Sequence, residues 1–236
     1  MQNHVFFRLF QLKLSKPHPP NLLTMTHTHA YLSKNIADLA EIYRPDINIC
    51  VIERNVSTDL TAFIQQLLSE PRSLNFTQTI TTKTFDVQSL LPKSLHFAGY
   101  QAFCGDIAYL IDVFSDLFEL EAIGLRLGLL DKAMCPRFHV DRVPCRLVCT
   151  YGGIGTEWLE EAYVNRAKLG RHANGLKDEE SGAILDSEAI EKMPAFAIGL
   201  LKGSAWEGNE QHGAIHRSPT LTAQAPRRLL LTLDFG

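Results

Sequence analysis

Ala122-Ile-Gly-Leu-Arg-Leu-Gly-Leu-Leu130 is the stretch on which the fold turns. Ile123, Leu125, Leu127 and Leu129 alternate there with Gly124, Arg126 and Gly128, the period of two that marks a half-buried strand. Immediately upstream, Asp106–Leu120 has Ile107, Leu110, Ile111, Phe114, Leu117 and Phe118 at helical spacing. The change of period divides the chain into a helical part, residues 34–121, and a β core, residues 122–236. Downstream, Arg137–Asp141, Cys145–Tyr151, Phe196–Lys202, Gly213–Arg217 and Arg228–Phe235 all read as short strands. Upstream, Lys34–Arg44 reads as a helix stopped by Pro45, and a second helix runs from a Ser57 N-cap to about Ser69. Ile47–Ile52 and Leu74–Thr82 read as strands among them. The expectation is one α+β domain over residues 34–236.

The composition narrows the function. With 236 residues, 45% hydrophobic and 21% charged, the chain is neither a disordered tail, a fibre nor a polytopic membrane protein. A net charge of −3 gives no basic excess for a nucleic-acid backbone. Five cysteines are too few, and odd in number, for a disulfide scaffold, so a reduced, cytoplasmic setting is expected. Residues 1–33 stand apart, since no Asp or Glu precedes Asp38. They read as an unstructured leader, either a transit peptide or sequence upstream of a start at Met25. Asn165–Ala183 is polar and aperiodic, and its length predicts a mobile lid.

The densest chemistry lies in Cys135-Pro-Arg-Phe-His-Val-Asp-Arg-Val-Pro-Cys-Arg-Leu-Val-Cys149. His139 and Asp141 are one residue apart, which on a strand puts both on one face, ~6.6 Å apart along the chain. An imidazole and a carboxylate so placed can share a metal ion, and His216 offers a third ligand from a later strand. Two His and one carboxylate leave open positions, the arrangement of non-heme Fe(II) oxygenases. Arg227 follows His216 by eleven positions, with Arg228 beside it. Either guanidinium could bind the far carboxylate of a dicarboxylate co-substrate. The residues alone leave open a simpler reading, in which His139 and Asp141 are a buried hydrogen-bonded pair.

The set His139, Asp141, His216 and Arg227 resembles the motif of the Fe(II)/2-oxoglutarate-dependent dioxygenase superfamily. The resemblance covers roughly Ala122 to Gly236. It implies a double-stranded β-helix (a jelly-roll, cupin-like fold) with the N-terminal helices packed outside the barrel. It also implies Fe(II) as cofactor, 2-oxoglutarate as co-substrate, and catalysis at His139, Asp141 and His216. More closely, CPRFHVDRVPCRLVCTYGGIGTEWL and GAIHRSP resemble the family known as domain of unknown function 1826. That likeness brings a link to zinc homeostasis and no assigned substrate, so small molecules and proteins both stay open. The alternative function is a non-catalytic zinc-binding protein on the same fold.

Other motifs compete. Cys135, His139, Cys145 and Cys149 form a C-x3-H-x5-C-x3-C string that suggests zinc, yet an extended Cys145–Cys149 separates its ends by ~13 Å. Gly152-Gly153-Ile154-Gly155-Thr156 lacks a P-loop ending and reads as a turn. Trp158 and Trp206 read equally as substrate-stacking or as packing residues. Of Arg137, Arg142, Arg146 and Arg217, one or two could meet an anionic substrate.

Overall fold

The computed structural model describes residues 29–170 and 175–236. Expectations for residues 1–28, including the start at Met25, lie outside the described residues; the last part of the expected unstructured leader, His29–Ser33, is instead a strand held by parallel pairing with Ile47–Ile52. The strands are β1 (His29–Ser33), β2 (Ile47–Ile52), β3 (Leu74–Thr81), β4 (Ala122–Leu130), β5 (Cys145–Gly152), β6 (Glu157–Leu159), β7 (Glu191–Lys192), β8 (Ile198–Lys202), β9 (Ile215–Arg217) and β10 (Arg228–Phe235). The helices are α1 (Thr58–Ser69), α2 (Tyr100–Phe118) and the short α3 (Asp178–Ser181).

Local signals account for most of these bounds. Ser57 caps α1 by accepting from the Leu60 N–H at 3.2 Å. Helix α2 begins at Tyr100, earlier than the periodicity at Asp106 suggests. Gly99 makes the entry with φ +87, and a Cβ there would sit 2.3 Å from the Asp59 carbonyl oxygen. Lys34–Arg44 differs from expectation, because Ile36–Tyr43 winds as 3-10 turns and Arg44, held extended ahead of Pro45, ends them. Arg137–Asp141 also differs. It forms no strand, only a single bridge between His139 and His216, and the Phe138 N–H is taken instead by the Asp178 carboxylate at 2.6 Å.

Seven strands pair in the order β1-β2-β8-β5-β10-β4-β3, and three in the order β7-β6-β9. Only β1 and β2 run parallel; every other pairing between the described strands is antiparallel. The expected division at Ala122 is therefore incomplete, since β1, β2 and β3 join the same large sheet as the C-terminal strands.

The large sheet has two faces of different character. Cys145, Leu147, Cys149 and Tyr151 of β5, with Leu229, Leu231 and Leu233 of β10, pack into one core with Phe63 of α1 and Phe103 and Phe114 of α2. Phe63 and Phe103 stack with ring centroids 5.0 Å apart. On the opposite face, Val148, Leu201, Ile49 and Val51 pack against Trp158 of the three-stranded sheet. Trp158 is thus core rather than a stacking platform. Trp206 packs against Tyr43 and Phe118, under the Lys202 ammonium. Among the described residues no helix is long and apolar enough to cross a membrane.

Burial of titratable groups sets an alkaline limit to this packing. Burial pushes the Cys149 thiol up to about 12 against an ordinary 9.0, and shifts Cys145 the same way. Unfolding in that window releases protons, so stability falls as pH rises above 9. Burial pulls Lys202 down to about 8 from 10.5, which acts in the opposite sense over that interval. Around pH 9 the half-ionised thiols and the ammonium nearly cancel; the loss steepens toward about 1.4 kcal/mol per pH unit near pH 10, and the Cys104 thiol, also raised by burial, adds to it. Urea titrations at pH 9 and 10 should show this fall, and Cys149→Ala should lessen it. Unchanged or rising stability in the parent would contradict it.

Candidate functional site

The first and last ligand candidates are tied together through the backbone. The His139 N–H donates to the His216 carbonyl at 3.0 Å, and the His216 N–H returns to the His139 carbonyl at 3.1 Å. This pair brings the two rings to 4.5 Å between centroids. Each ring is then oriented by a carbonyl two residues upstream. Nδ1 of His139 lies 2.8 Å from the Arg137 oxygen, and Nδ1 of His216 lies 3.1 Å from the Ala214 oxygen. A carbonyl can only accept, so both Nδ1 atoms carry hydrogen and both Nε2 atoms present lone pairs when the rings are neutral.

Those Nε2 atoms converge on Asp141. His139 Nε2 is 3.6 Å from Oδ1 and His216 Nε2 is 3.3 Å from Oδ2. One ligand atom from each of the three residues lies within 4.8 Å of the others. Bonds of ~2.1 Å at right angles would hold neighbouring donors ~3 Å apart, so the set fits one divalent cation. Burial works to raise the Asp141 carboxyl, but the two histidines and Arg146 outweigh it and hold it far below the carboxylate range. Burial would lower His139, and its bonds to Asp141 and the Arg137 carbonyl reverse that, leaving it raised.

Asp141 is held by a second cation in its turn. Arg146 Nη1 donates to Asp141 Oδ2 at 2.6 Å, while its Nε and Nη2 grip Asp234 at 2.6 and 2.9 Å. Arg146 thus bridges Asp234 and Asp141 in a chain of fixed geometry whose net charge of −1 favours a cation at the ligand set.

The two arginines after His216 part company. Arg227 shares parity with Leu229, Leu231 and Leu233, and reaches the C-terminal end of α1. There it donates to the carbonyls of Leu68 at 3.1 Å, Arg72 at 2.8 Å, and Glu70. It caps the carbonyls of Leu68 and Glu70 at the end of α1, bonds Arg72 just beyond it, and does not line the cavity, which corrects the expectation that pairs it with the metal set. Arg228 shares parity with Leu230, Thr232 and Asp234 and faces the cavity. It is 2% exposed, and its Nη2 donates to Thr150 Oγ1 at 2.9 Å and Thr156 Oγ1 at 2.6 Å. Its Nε has no partner, and among the described residues no carboxylate pairs with it. The nearby Glu157 is taken by Arg217 at 2.7 Å and Lys192 at 3.5 Å. Burial draws Arg228 down to about 10, with Glu157 opposing. A buried guanidinium in this state favours an incoming anion.

His139, His216 and Arg228 line one cavity of about 470 Å³, lying on the face of the large sheet opposite the helices. Cys145 and Cys149 face the helices instead, so the four-residue Cys/His zinc set does not assemble. His139, Asp141 and His216 are the one potential metal cluster among the described residues. The Gly152–Thr156 turn presents Thr156 to Arg228. Gly153 has φ +84 there, and a Cβ on Gly155 would fall 1.8 Å from the Met193 oxygen. The described part of Asn165–Ala183 is fastened at its ends. The Asn165 N–H bonds the Ala183 oxygen at 2.8 Å, and buried Asp178 takes Arg217 at 3.2 Å.

The family model described as "Protein of unknown function (DUF1826)" matches residues 33–234. The chain belongs to that family. No curated protein matches this DUF1826 chain. Among solved structures it is similar to a dioxygenase for auxin oxidation from rice, with 12% identity, TM-score 0.49, and coverage of 88% of this chain and 82% of that one. It is also similar to the Arabidopsis thaliana dioxygenase for auxin oxidation in its 2-oxoglutarate complex (10%, TM-score 0.48, 88% and 92%). A prolyl-4-hydroxylase from Pseudomonas putida is similar at 12% identity and TM-score 0.44, over 85% of this chain and 98% of that one.

Several residues of the DUF1826 site carry no motif. Arg146, Thr150 and Thr156 reach the ligands or Arg228 from strand β5 and the turn after it, and Asp234 sits near the end of β10. Strand parity was their available signal, because each polar residue on β5 and β10 falls between apolar ones that face the helices.

Proposed function

We propose that the chain is a non-heme Fe(II)/2-oxoglutarate-dependent oxygenase acting as a hydroxylase or demethylase. The two sheets around the cavity, with α1 and α2 behind the larger one, would then form a double-stranded β-helix with its helices outside the barrel. The observation that carries the reading is Arg228, a buried cation without a counter-ion in the cavity shared by His139 and His216. A site that only stores or senses zinc has no use for such a group. Expected for a 2-oxoglutarate oxygenase is a desolvated guanidinium that meets the distal carboxylate, with Thr150 and Thr156 fixing its angle.

His139, Asp141 and His216 would hold the iron, which supplies the activation of oxygen coupled to oxidative decarboxylation of 2-oxoglutarate. The chain contributes orientation and charge. The carbonyls of Arg137 and Ala214 keep each Nε2 free for the metal. Arg146 engages one carboxylate oxygen of Asp141, favouring ligation through the other. Arg228 aligns the co-substrate by its far end, and Val148 and Leu230 give the cavity apolar walls that limit water.

Protein purified without air should bind one divalent ion and, supplied with Fe(II) and oxygen, convert 2-oxoglutarate to succinate and carbon dioxide. Calorimetry and succinate assay measure the two steps. Metal binding without any 2-oxoglutarate binding or turnover would overturn the oxygenase reading.

A further inference from the structure

We infer that the substrate is a small organic anion with an apolar body, anchored through its carboxylate or phosphate by Arg126. The inference rests on the oxygenase reading and names the substrate class of that same cavity. Its first ground is charge. Five basic side chains and one acidic side chain, Asp131, line the cavity of a protein whose net charge is −3. Two of the five are more than offset by carboxylates just behind the lining, Arg146 by Asp141 and Asp234, and Arg217 by Glu157, Asp178 and Glu179, so neither is open to a ligand. Arg228 is assigned to the co-substrate. Arg126 and Lys132 remain, without a hydrogen bond or ion pair among the described residues, and Asp131 can offset one of them.

The second ground is position. The three-stranded sheet packs over β2, β5 and β8. It leaves the β10-β4-β3 side of the same face open, where Arg126 and Thr77 are exposed. Arg126 stands in a row across that floor, paired with Thr77 of β3 and Thr232 of β10, and Thr232 is paired in turn with Val148 of β5. Two strand spacings, ~10 Å, therefore separate the anchor from the strand whose Arg146 holds Asp141. Gly128 on the same face adds no side chain to the floor. An anion on Arg126, flanked by two threonine hydroxyls, would direct an extended body of that length toward the metal ligands. Leu130, Met134 and Leu230 also line the cavity, and Met134 is 55% exposed. They give the body an apolar wall.

The test uses the full chain loaded with Mn(II) and saturating 2-oxoglutarate under nitrogen, so that Arg228 is already occupied. Octanoate, hexyl phosphate and octanamide are titrated by calorimetry. At least one of the two anions should bind ten or more times tighter than the amide, and which one does so separates a carboxylate from a phosphate substrate. Arg126→Gln should bring anion and amide within about twofold of each other while 2-oxoglutarate affinity stays unchanged. Arg126→Lys, which keeps the charge, should retain part of the preference. Equal binding of acid and amide, no binding of any probe, or a preference that survives Arg126→Gln overturns the inference. Failure of 2-oxoglutarate to bind the parent would sink the oxygenase reading separately; the probes are then compared in the Arg228→Met background, where an anion preference lost on Arg126→Gln still reads Arg126.

Discussion

Replacing Arg228 by Met should weaken 2-oxoglutarate binding by ~30-fold to several thousand-fold, the equivalent of ~2–5 kcal/mol for a desolvated charge pair. Metal affinity should stay within about a factor of two, since Arg228 bonds only Thr150 and Thr156. The melting temperature gives an independent readout. Without co-substrate the parent holds a buried cation whose Nε is unpartnered, so a Met of similar length should melt no lower than the parent. Arg227→Met should behave in the opposite way. It removes two bonds to the end of α1 and one to Arg72 just beyond it, and should cost ~1–3 kcal/mol of stability, while 2-oxoglutarate affinity is unaffected. Calorimetry and thermal melts on the two variants check both statements. An Arg227 variant that loses the co-substrate while the Arg228 variant keeps it would reverse the assignment.

Asp141→Ala should weaken binding of a divalent metal by more than ~100-fold, beyond the ~10–100-fold that outer partners of a ligand typically supply. It removes the anionic member of the set and leaves two neutral imidazoles, whose backbone pairing does not depend on the carboxylate. Arg146 keeps both of its bonds to Asp234, so the fold should survive and the loss should be local. Anaerobic titration with Mn(II), alongside a circular-dichroism melt, measures this. Metal affinity close to that of the parent would show that the ion sits elsewhere.

Much of the architecture was written in local pattern. Ile47–Ile52, the Ser57 cap, Ala122–Leu130 and Arg228–Phe235 could be placed from periodicity because each is set by neighbours along the chain. His139, Asp141 and His216 were legible too, since two of the three lie within one tripeptide. Arg137–Asp141 has a strand's pattern and yet is none, because the Phe138 N–H goes to a side chain far along the chain, Asp178, and only His139 pairs with His216. The pairing of Arg146 with Asp234 spans 88 positions and leaves no local trace. The choice between Arg227 and Arg228 was within reach, for alternation along Leu229, Leu231 and Leu233 already assigns Arg227 to the helix side.

Strand β10 has a consequence for how this family can diverge. Its odd positions support the hydrophobic interior and its even positions equip the cavity, in a single run of eight residues. The connection from Thr220 to Pro226 can lengthen or shorten, because a loop carries no phase. One residue gained or lost inside Arg228–Phe235 would exchange the two sets at a stroke, exposing leucines to the cavity and thrusting the guanidinium among the helices. Insertions and deletions in relatives should therefore gather before Pro226 and be absent from the strand itself.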